Sequence, residues 1–435
     1  MNKTAGNDVA ASIDTHADQP CRQKNIEVLT GYYRSTISQQ CDKTGIELEH
    51  FIVHVDDGTP VSYSEEHGIH WLLHQLSHDY PDTTFDVEND LIGVGRNHKG
   101  VRENVTLEPA AQLELSAGPF ESLENALECY TDFDERITKL IEPWGQRIVL
   151  VGYQPYAKAL DTELIPKRRY RYMDRYLSAI GPWGPRMMRG TASTQISIDY
   201  DSEQDGLRKL RLASLCTPLF SLMCDNSPVF EGKPRPHQMM RTEVWLGCDP
   251  DRCGVIPGAA DPGFTLEDCA ARVLDTPAIV IPDGNNEWAY DTRTFGEIYA
   301  EHPMTQADAI HAVSMTFHDV RLKTYVEIRP ADALPIEYVI AYAALVKGLF
   351  ADDERMSQME SLFGDAGDDQ ILEAKESLMR NGYSGEAYGA PAWKLAERLC
   401  MIAKLGLPKS ERELLEPLMM LVMNRTTPAD LTVID

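Results

Sequence analysis

The stretch GIELEHFIV (residues 45–53) reads as a β-strand with two unlike faces. At period two, Glu47, Glu49, Phe51 and Val53 share one side, and Ile46, Leu48, His50 and Ile52 share the other. Two carboxylates about 7 Å apart on one face repel unless water screens them or a cation lies between them. Three further stretches carry the same pattern. VTLEPAAQLELS (105–116) places Glu108, Gln112 and Glu114 on one parity, against Leu107, Ala111, Leu113 and Leu115. TASTQISIDY (191–200) sets Ser193, Gln195, Ser197 and Asp199 against Ile196 and Ile198. VRLKTYVEIR (320–329) sets Arg321, Lys323, Tyr325, Glu327 and Arg329 against Val320, Leu322, Thr324, Val326 and Ile328. A chain built on such strands reads as one α+β domain, a sheet with one apolar and one polar face followed by a helical C-terminal part.

The polar face admits two readings. A solvated sheet face accounts for period-two alternation by itself. Exposed strand faces usually mix Thr, Lys and Ser, however, whereas three of these four carry acids and amides with little Lys. Glu47, Glu49, Glu108, Glu114 and Glu327 would repel one another if brought together. Oxygen donors at this spacing suit hard cations such as Mg²⁺ or Mn²⁺. The fourth strand adds guanidinium and ammonium groups that suit phosphate or carboxylate.

Charge sharpens the second reading. The formal net charge of −27 argues against nucleic-acid and anionic-membrane partners. Any anionic substrate must therefore find a local basic cluster. PKRRYRYMDRY (166–176) is the most basic stretch, and GKPRPHQMMRTEVW (232–245) and DPDRCG (249–254) add Lys233, Arg235, Arg241 and Arg252. Together they suggest an anion site made of small-molecule-binding residues.

Other signals are excluded. No apolar run approaches the ~20 residues of a membrane helix. The N-terminal stretch has no hydrophobic core of a secretory signal, and residues 1–22 read as a disordered tail. Nine cysteines without a CxxC pair argue against a disulfide scaffold and for a cytoplasmic protein. Cys248 and Cys253 lack the second ligand pair that zinc needs. His70, His74 and His78 share a helix face, but no HExxH pattern accompanies them, so a solvated face is expected. GVGRNHKG (93–100) is followed by strand-like sequence and reads as a hairpin turn, not a dinucleotide loop. Helices are expected at 23–40, 67–80, 121–143 and 202–224, the last capped by Ser202 and Asp205, with a buried strand at 147–155. From 336 to 435 the chain is mainly helical, with breaks near 364–367 and 382–390, and residues 23–435 are expected to form one catalytic domain.

Six motifs in order carry a resemblance: GIELEHFIV, VTLEPAAQLELSAGPF, GYQP with IPKRRYRYM, TASTQISIDYDSE, DNSPVFEGKP with MMRTEVW and DPDRCG, and VRLKTYVEIRPAD. They resemble the plant-type and bacterial glutamate–cysteine ligases of the second glutamate–cysteine synthetase family, over roughly residues 28–345. The resemblance implies the glutamine synthetase-like fold, in which a curved antiparallel sheet forms a funnel with helices outside. It implies ATP as co-substrate with two or three Mg²⁺ ions, which Mn²⁺ could replace, and glutamate and cysteine as substrates. It implies ligation of the glutamate γ-carboxylate to the cysteine amine through γ-glutamyl phosphate, the first step of glutathione or related thiol biosynthesis. By matching motif, Glu47, Glu49, Glu108, Glu114 and Glu327 would hold metal. Lys167, Arg169, Arg241, Arg252, Arg321, Lys323 and Gln195 would bind ATP or glutamate, with Arg329, Arg241 and Lys323 nearest the chemistry. Ala192 stands where plant members have Cys, so their redox switch is not expected here. A monomer or homodimer is expected.

Overall fold

The computed structural model describes residues 20–37, 42–282 and 288–432. Most of the expected N-terminal tail lies outside them; its last residues form a turn and open the helix Arg22–Arg34. Among the described residues, nine strands make one sheet: β1 (Thr44–His54), β2 (Asp82–Phe85), β3 (Leu91–His98), β4 (Val101–Leu107), β5 (Leu113–Phe120), β6 (Gln146–Val149), β7 (Ser193–Ile198), β8 (Val320–Leu322) and β9 (Val326–Asp332). The order is β8-β9-β7-β1-β5-β4-β3-β2, and β6 pairs with the second half of β1. Every pairing is antiparallel. The sheet is open, as the one-sided strand pattern permits.

Its apolar face is the core. Ile46, Leu48, Leu113, Leu115, Ile196, Val326 and Ile328 are at most 1 % exposed. Each such side chain contributes about 1.5–3 kcal/mol through burial. Three helices cover this face. Leu123–Ile141 lies on β5 and β6, Ile336–Leu349 on β1 and β7, and Glu203–Met223 on β8 and β9. Leu123–Ile141 buries Leu123, Ala126, Tyr130, Phe133, Ile137 and Ile141, a one-sided stripe. Ile336–Leu349 is buried almost all round, which fits its apolar sequence and central place. Ser202 caps Glu203–Met223 by accepting from the Asp205 amide at 3.1 Å, as its sequence predicts. His50 also points into this side, bonded to the Leu113 carbonyl and to Asp134 at 2.9 and 3.0 Å.

Two expected strands are broken. Residues 105–116 are not one strand: β4 ends at Leu107 and β5 begins at Leu113. Pro109 has no amide to donate, and Ala111 takes a φ of +64°, so Glu108–Gln112 forms a turn closed by Glu108 N–H to Gln112 O at 2.9 Å. Residues 320–329 are likewise a hairpin, turned at Lys323–Tyr325. Facing residues of an antiparallel pair share a face, so the polar set stays together despite both corrections. The expected hairpin at 93–100 is present, turning through Lys99 and Gly100, both at positive φ. The helices expected at 23–40 and 67–80 are shorter, Arg22–Arg34 and Ile69–Leu76, and the strand expected at 147–155 is β6 alone. Beyond 335 the helices Ile336–Leu349, Asp353–Phe363, Asp368–Asn381, Ala392–Gly406 and Glu416–Asn424 leave breaks at the expected places. No helix among the described residues is long and apolar enough to cross a membrane.

Candidate active site

Strand register assembles the polar face. Glu49 lies opposite Glu114, and Glu47 lies opposite Ser116 on one side and Gln195 on the other. Glu327 lies opposite Ser197 and Arg321. Glu47, Glu49, Glu114 and Gln195 line a cavity of about 220 Å³, and Glu108 enters it from the β4–β5 turn. The same cavity is also lined by cations, two of them on the sheet itself. Lys167 and Arg169 come from the start of the helix Arg168–Ile180, Arg241 from Met240–Leu246, and Arg321 and Arg329 from the β8–β9 hairpin. Four carboxylates thus share one cavity with five cations.

The acids fall into two kinds. Some are pinned: Glu49 accepts from the Ser193 amide and hydroxyl at 3.0 and 2.6 Å and from Gln195 at 3.3 Å. Glu114 accepts from Thr106 and Ser116 at 2.8 and 2.9 Å. Glu47 and Glu108 accept no side-chain hydrogen bond from the described residues. Burial, then Glu114 and Glu327, pushes the Glu47 carboxyl up to about 8. Burial, then Glu49 and Glu114, pushes Glu108 up to about 8 as well. Glu49 is raised for the same reasons, burial first and Glu114 second.

This wall fits a divalent cation by its donor chemistry: hard oxygens, two of them uncommitted, held in an environment that resists their negative charge. As the side chains stand, no three His, Cys, Asp or Glu residues among those described are drawn together on one point. The carboxylates are spread around the wall. The histidines of the Ile69–Leu76 helix give no such cluster either. His70 and His74 contact each other at 3.2 Å, and His78 lies exposed beyond the helix end. Cys248 and Cys253 are free and buried.

Glu327 differs from the expected ligand. It is 1 % exposed and accepts from Arg321 at 2.7 Å, Lys323 at 3.0 Å and Arg329 at 3.2 Å. Burial opposes its ionisation, but the three cations outweigh that and hold its carboxyl well below the usual range. Both oxygens already serve these cations, so a metal at Glu327 would share them with the cations. Lys323 does not line the cavity; its ammonium lies between Glu327 and the Tyr325 ring, 4.7 Å from the ring centre.

Arg252 is a correction. It is fully buried and donates to Asp249 at 2.6 Å, to Met315 O at 2.9 Å and to Pro277 O at 2.8 Å. It does not line the cavity. Its role is to tie the 249–254 loop to the segments at 277 and 315. Arg189 is similarly spent on Asp174 at 2.6 Å.

The cavity also contains residues that sequence patterning missed. Tyr170, Met173, Met187, Met188, Trp245 and Phe317 give it apolar lining, and Ser314 adds a hydroxyl. They come from helices and loops whose positions only the tertiary fold sets. A second recess of about 230 Å³ shares Glu47 with the first and is lined by Gly45, Gly118, Asn104, Ser197 and Tyr325. A Cβ at Gly118 would lie 3.1 Å from the Gly45 Cα, and its φ of +131° disfavours any side chain there.

Comparisons agree with this architecture. The model of glutamate-cysteine ligase family 2 (GCS2) matches residues 43–399. The chain is 27 % identical over 375 residues to the chloroplastic glutamate–cysteine ligase B of Oryza sativa subsp. japonica, covering 84 % of this chain and 74 % of that one. It is 28 % identical over 404 residues to the chloroplastic glutamate–cysteine ligase of Arabidopsis thaliana, covering 89 % and 75 %. The crystal structure of a glutamate–cysteine ligase from Francisella tularensis in complex with AMP superposes with a TM-score of 0.55 at 14 % identity, covering 90 % of this chain and 84 % of that one. At that identity the likeness speaks for the fold.

Proposed function

The chain belongs to glutamate-cysteine ligase family 2, and on that premise we propose that it joins the γ-carboxylate of glutamate to the amino group of cysteine at the expense of ATP. The observation that carries this reading is one cavity lined together by four carboxylates, four arginines and a lysine. A kinase-like first step needs charge neutralisation and positioning rather than a nucleophilic side chain, and that is what this cavity offers.

The reaction balances in two steps. A γ-carboxylate oxygen of glutamate attacks the γ-phosphorus of ATP, and the bond to the ADP oxygen breaks. The cysteine nitrogen then attacks the acyl carbon of γ-glutamyl phosphate, phosphate leaves, and the nitrogen loses its proton. Arg241, buried, and Arg169, half-buried, both line the cavity and would hold carboxylate oxygens of glutamate. Burial lowers the pKa of both guanidiniums, which remain charged, and an anionic guest would offset that cost. Arg321, Lys323 and Arg329 would meet phosphoryl oxygens, since they stand together around Glu327 on the side of Glu47 and Tyr325. The second recess, which shares Glu47, would take the nucleoside. Gln195 accepts from Arg329 and thereby holds its guanidinium toward the cavity. Glu47, Glu49, Glu108 and Glu114 would hold Mg²⁺, and Glu327 would join them while sharing its oxygens with its cations. Bound there, Mg²⁺ supplies charge neutralisation for the phosphate oxygens. Arg252 is left out of the binding set.

The route is tested with glutamate carrying ¹⁸O in its γ-carboxylate. Passage through γ-glutamyl phosphate transfers one labelled oxygen to inorganic phosphate. Unlabelled phosphate, with product formed, would rule the acyl phosphate out.

A further inference from the structure

The helix Met240–Leu246 carries Arg241 and, one turn later, Trp245. At i, i+4 the two side chains share a helix face. The Trp245 ring centre lies 5.6 Å from the Arg241 guanidinium carbon and 5.8 Å from that of Arg329. One indole therefore serves two cations, one from its own helix and one from β9. Trp245, Arg241 and Arg329 all line the main cavity, and all three also line a void of about 10 Å³ behind it. The Trp245 Nε1–H and the Arg241 Nε–H are both buried and find no acceptor among the described residues. Buried donors are nearly always paired in native proteins. Two orphan donors on adjacent side chains at the same cavity point to an acceptor from outside the protein.

We propose that Trp245 is a substrate-binding residue whose indole N–H donates to an anionic oxygen held between Arg241 and Arg329, and whose ring sets the spacing of those two guanidiniums. The flanking cations select an oxyanion, either an amino-acid carboxylate or a phosphoryl oxygen. The assignment rests on the ligase reading of the cavity. Its competitor is a water in the small void, which is just large enough for one. A water there would leave the indole indifferent to substrate.

Two variants and one spectrum separate these cases. Trp245→Phe keeps an aromatic ring beside the arginines and removes the N–H; Trp245→Leu removes both. Loss of a hydrogen bond to a charged acceptor is expected to raise the KM of one anionic substrate about tenfold in Trp245→Phe, leaving the other within about twofold. A rise for glutamate identifies a carboxylate, and a rise for ATP identifies phosphate. Trp245→Leu loses a further factor because the arginines lose their ring. The wild-type protein has six tryptophans, and the Trp245 indole ¹⁵N–¹H resonance, assigned by substituting the other five, should shift on saturation with that same substrate alone. This measurement stands even if Trp245→Phe does not fold. Unchanged kinetics in Trp245→Phe, or an indole resonance unmoved by both glutamate and a non-hydrolysable ATP analogue, overturns the proposal. Failure of the ligase reading looks different: the wild-type protein would release no ADP with glutamate and cysteine, whatever the indole resonance does.

Discussion

Glu49 of β1 lies directly opposite Glu114 of β5, and both side chains look into the same cavity. Like charges so placed destabilise a sheet. Neither side chain is left to swing away: Ser193 and Gln195 fix Glu49, and Thr106 and Ser116 fix Glu114. The fold gives up stability here to keep two acids in one cavity, as a binding site would and a solvated sheet face would not.

Glu114→Gln tests that trade. Removing one of the two facing charges should leave the metal-free protein as stable as the parent or more so, by on the order of 0.5–1 kcal/mol, while ADP release falls by at least about a hundredfold. Thermal melts and a steady-state assay on one preparation read both. A destabilised variant with full activity would contradict the assignment.

The raised carboxyls make stability depend on pH and on Mg²⁺ together. Glu47 and Glu108 titrate near 8 when folded, against 4.5 for an ordinary glutamate. A folded pKa above the unfolded one means that stability is fully present below about pH 4.5 and is lost as pH rises through about 8. Mg²⁺ must displace these protons, so its apparent affinity should weaken by at least about tenfold between pH 8.5 and 6.5. Calorimetry in buffers of different ionisation enthalpy should show proton release on binding. Binding that is independent of pH and releases no protons would contradict raised carboxyls at the metal site.

Glu327 should behave unlike the other acids. Glu327→Gln leaves Arg321, Lys323 and Arg329 crowded around a neutral amide, and breaking a buried ion pair from one side costs about 3–5 kcal/mol. Denaturant unfolding measures the loss, which phosphate should partly restore by replacing the missing charge. A variant as stable as the parent would show that the three cations have another partner.

Arg252 offers the converse test. Arg252→Lys cannot reproduce the bonds to Asp249, Met315 O and Pro277 O. A loss of about 2–4 kcal/mol in stability is expected from the unmet buried acceptors, with KM for glutamate and for ATP within about twofold of the parent. A selective rise in either KM would return Arg252 to the binding set.

These residues also show what a sequence can disclose. The alternation of Glu47 and Glu49 with Ile46 and Leu48 is a local signal, and it placed the acids on one face and the aliphatics in the core. Even where Pro109 and the Lys323–Tyr325 turn broke the expected strands, antiparallel register kept the parity, so Glu114, Gln195 and Arg321 still met in one cavity. Arg252 was misread because a buried arginine serving carbonyls and a ligand-binding arginine look alike in a basic loop. Glu327 was only half read: periodicity put it on one face with Arg321, Lys323 and Arg329, but not the hairpin that brings Arg321 directly opposite it. Trp245 lies in the MMRTEVW motif but was given no role there, while Ser314 and Met188 carry no motif, and all three reach the cavity through the packing of distant segments.

The central claim is most directly tested by measuring ADP release from the purified protein with ATP, Mg²⁺ and glutamate, comparing cysteine with a panel of other amines. The account predicts release that requires both Mg²⁺ and glutamate, is fastest with cysteine, and yields γ-glutamylcysteine in equal amount. Release that ignores glutamate, or that proceeds equally well with any amine, would contradict it.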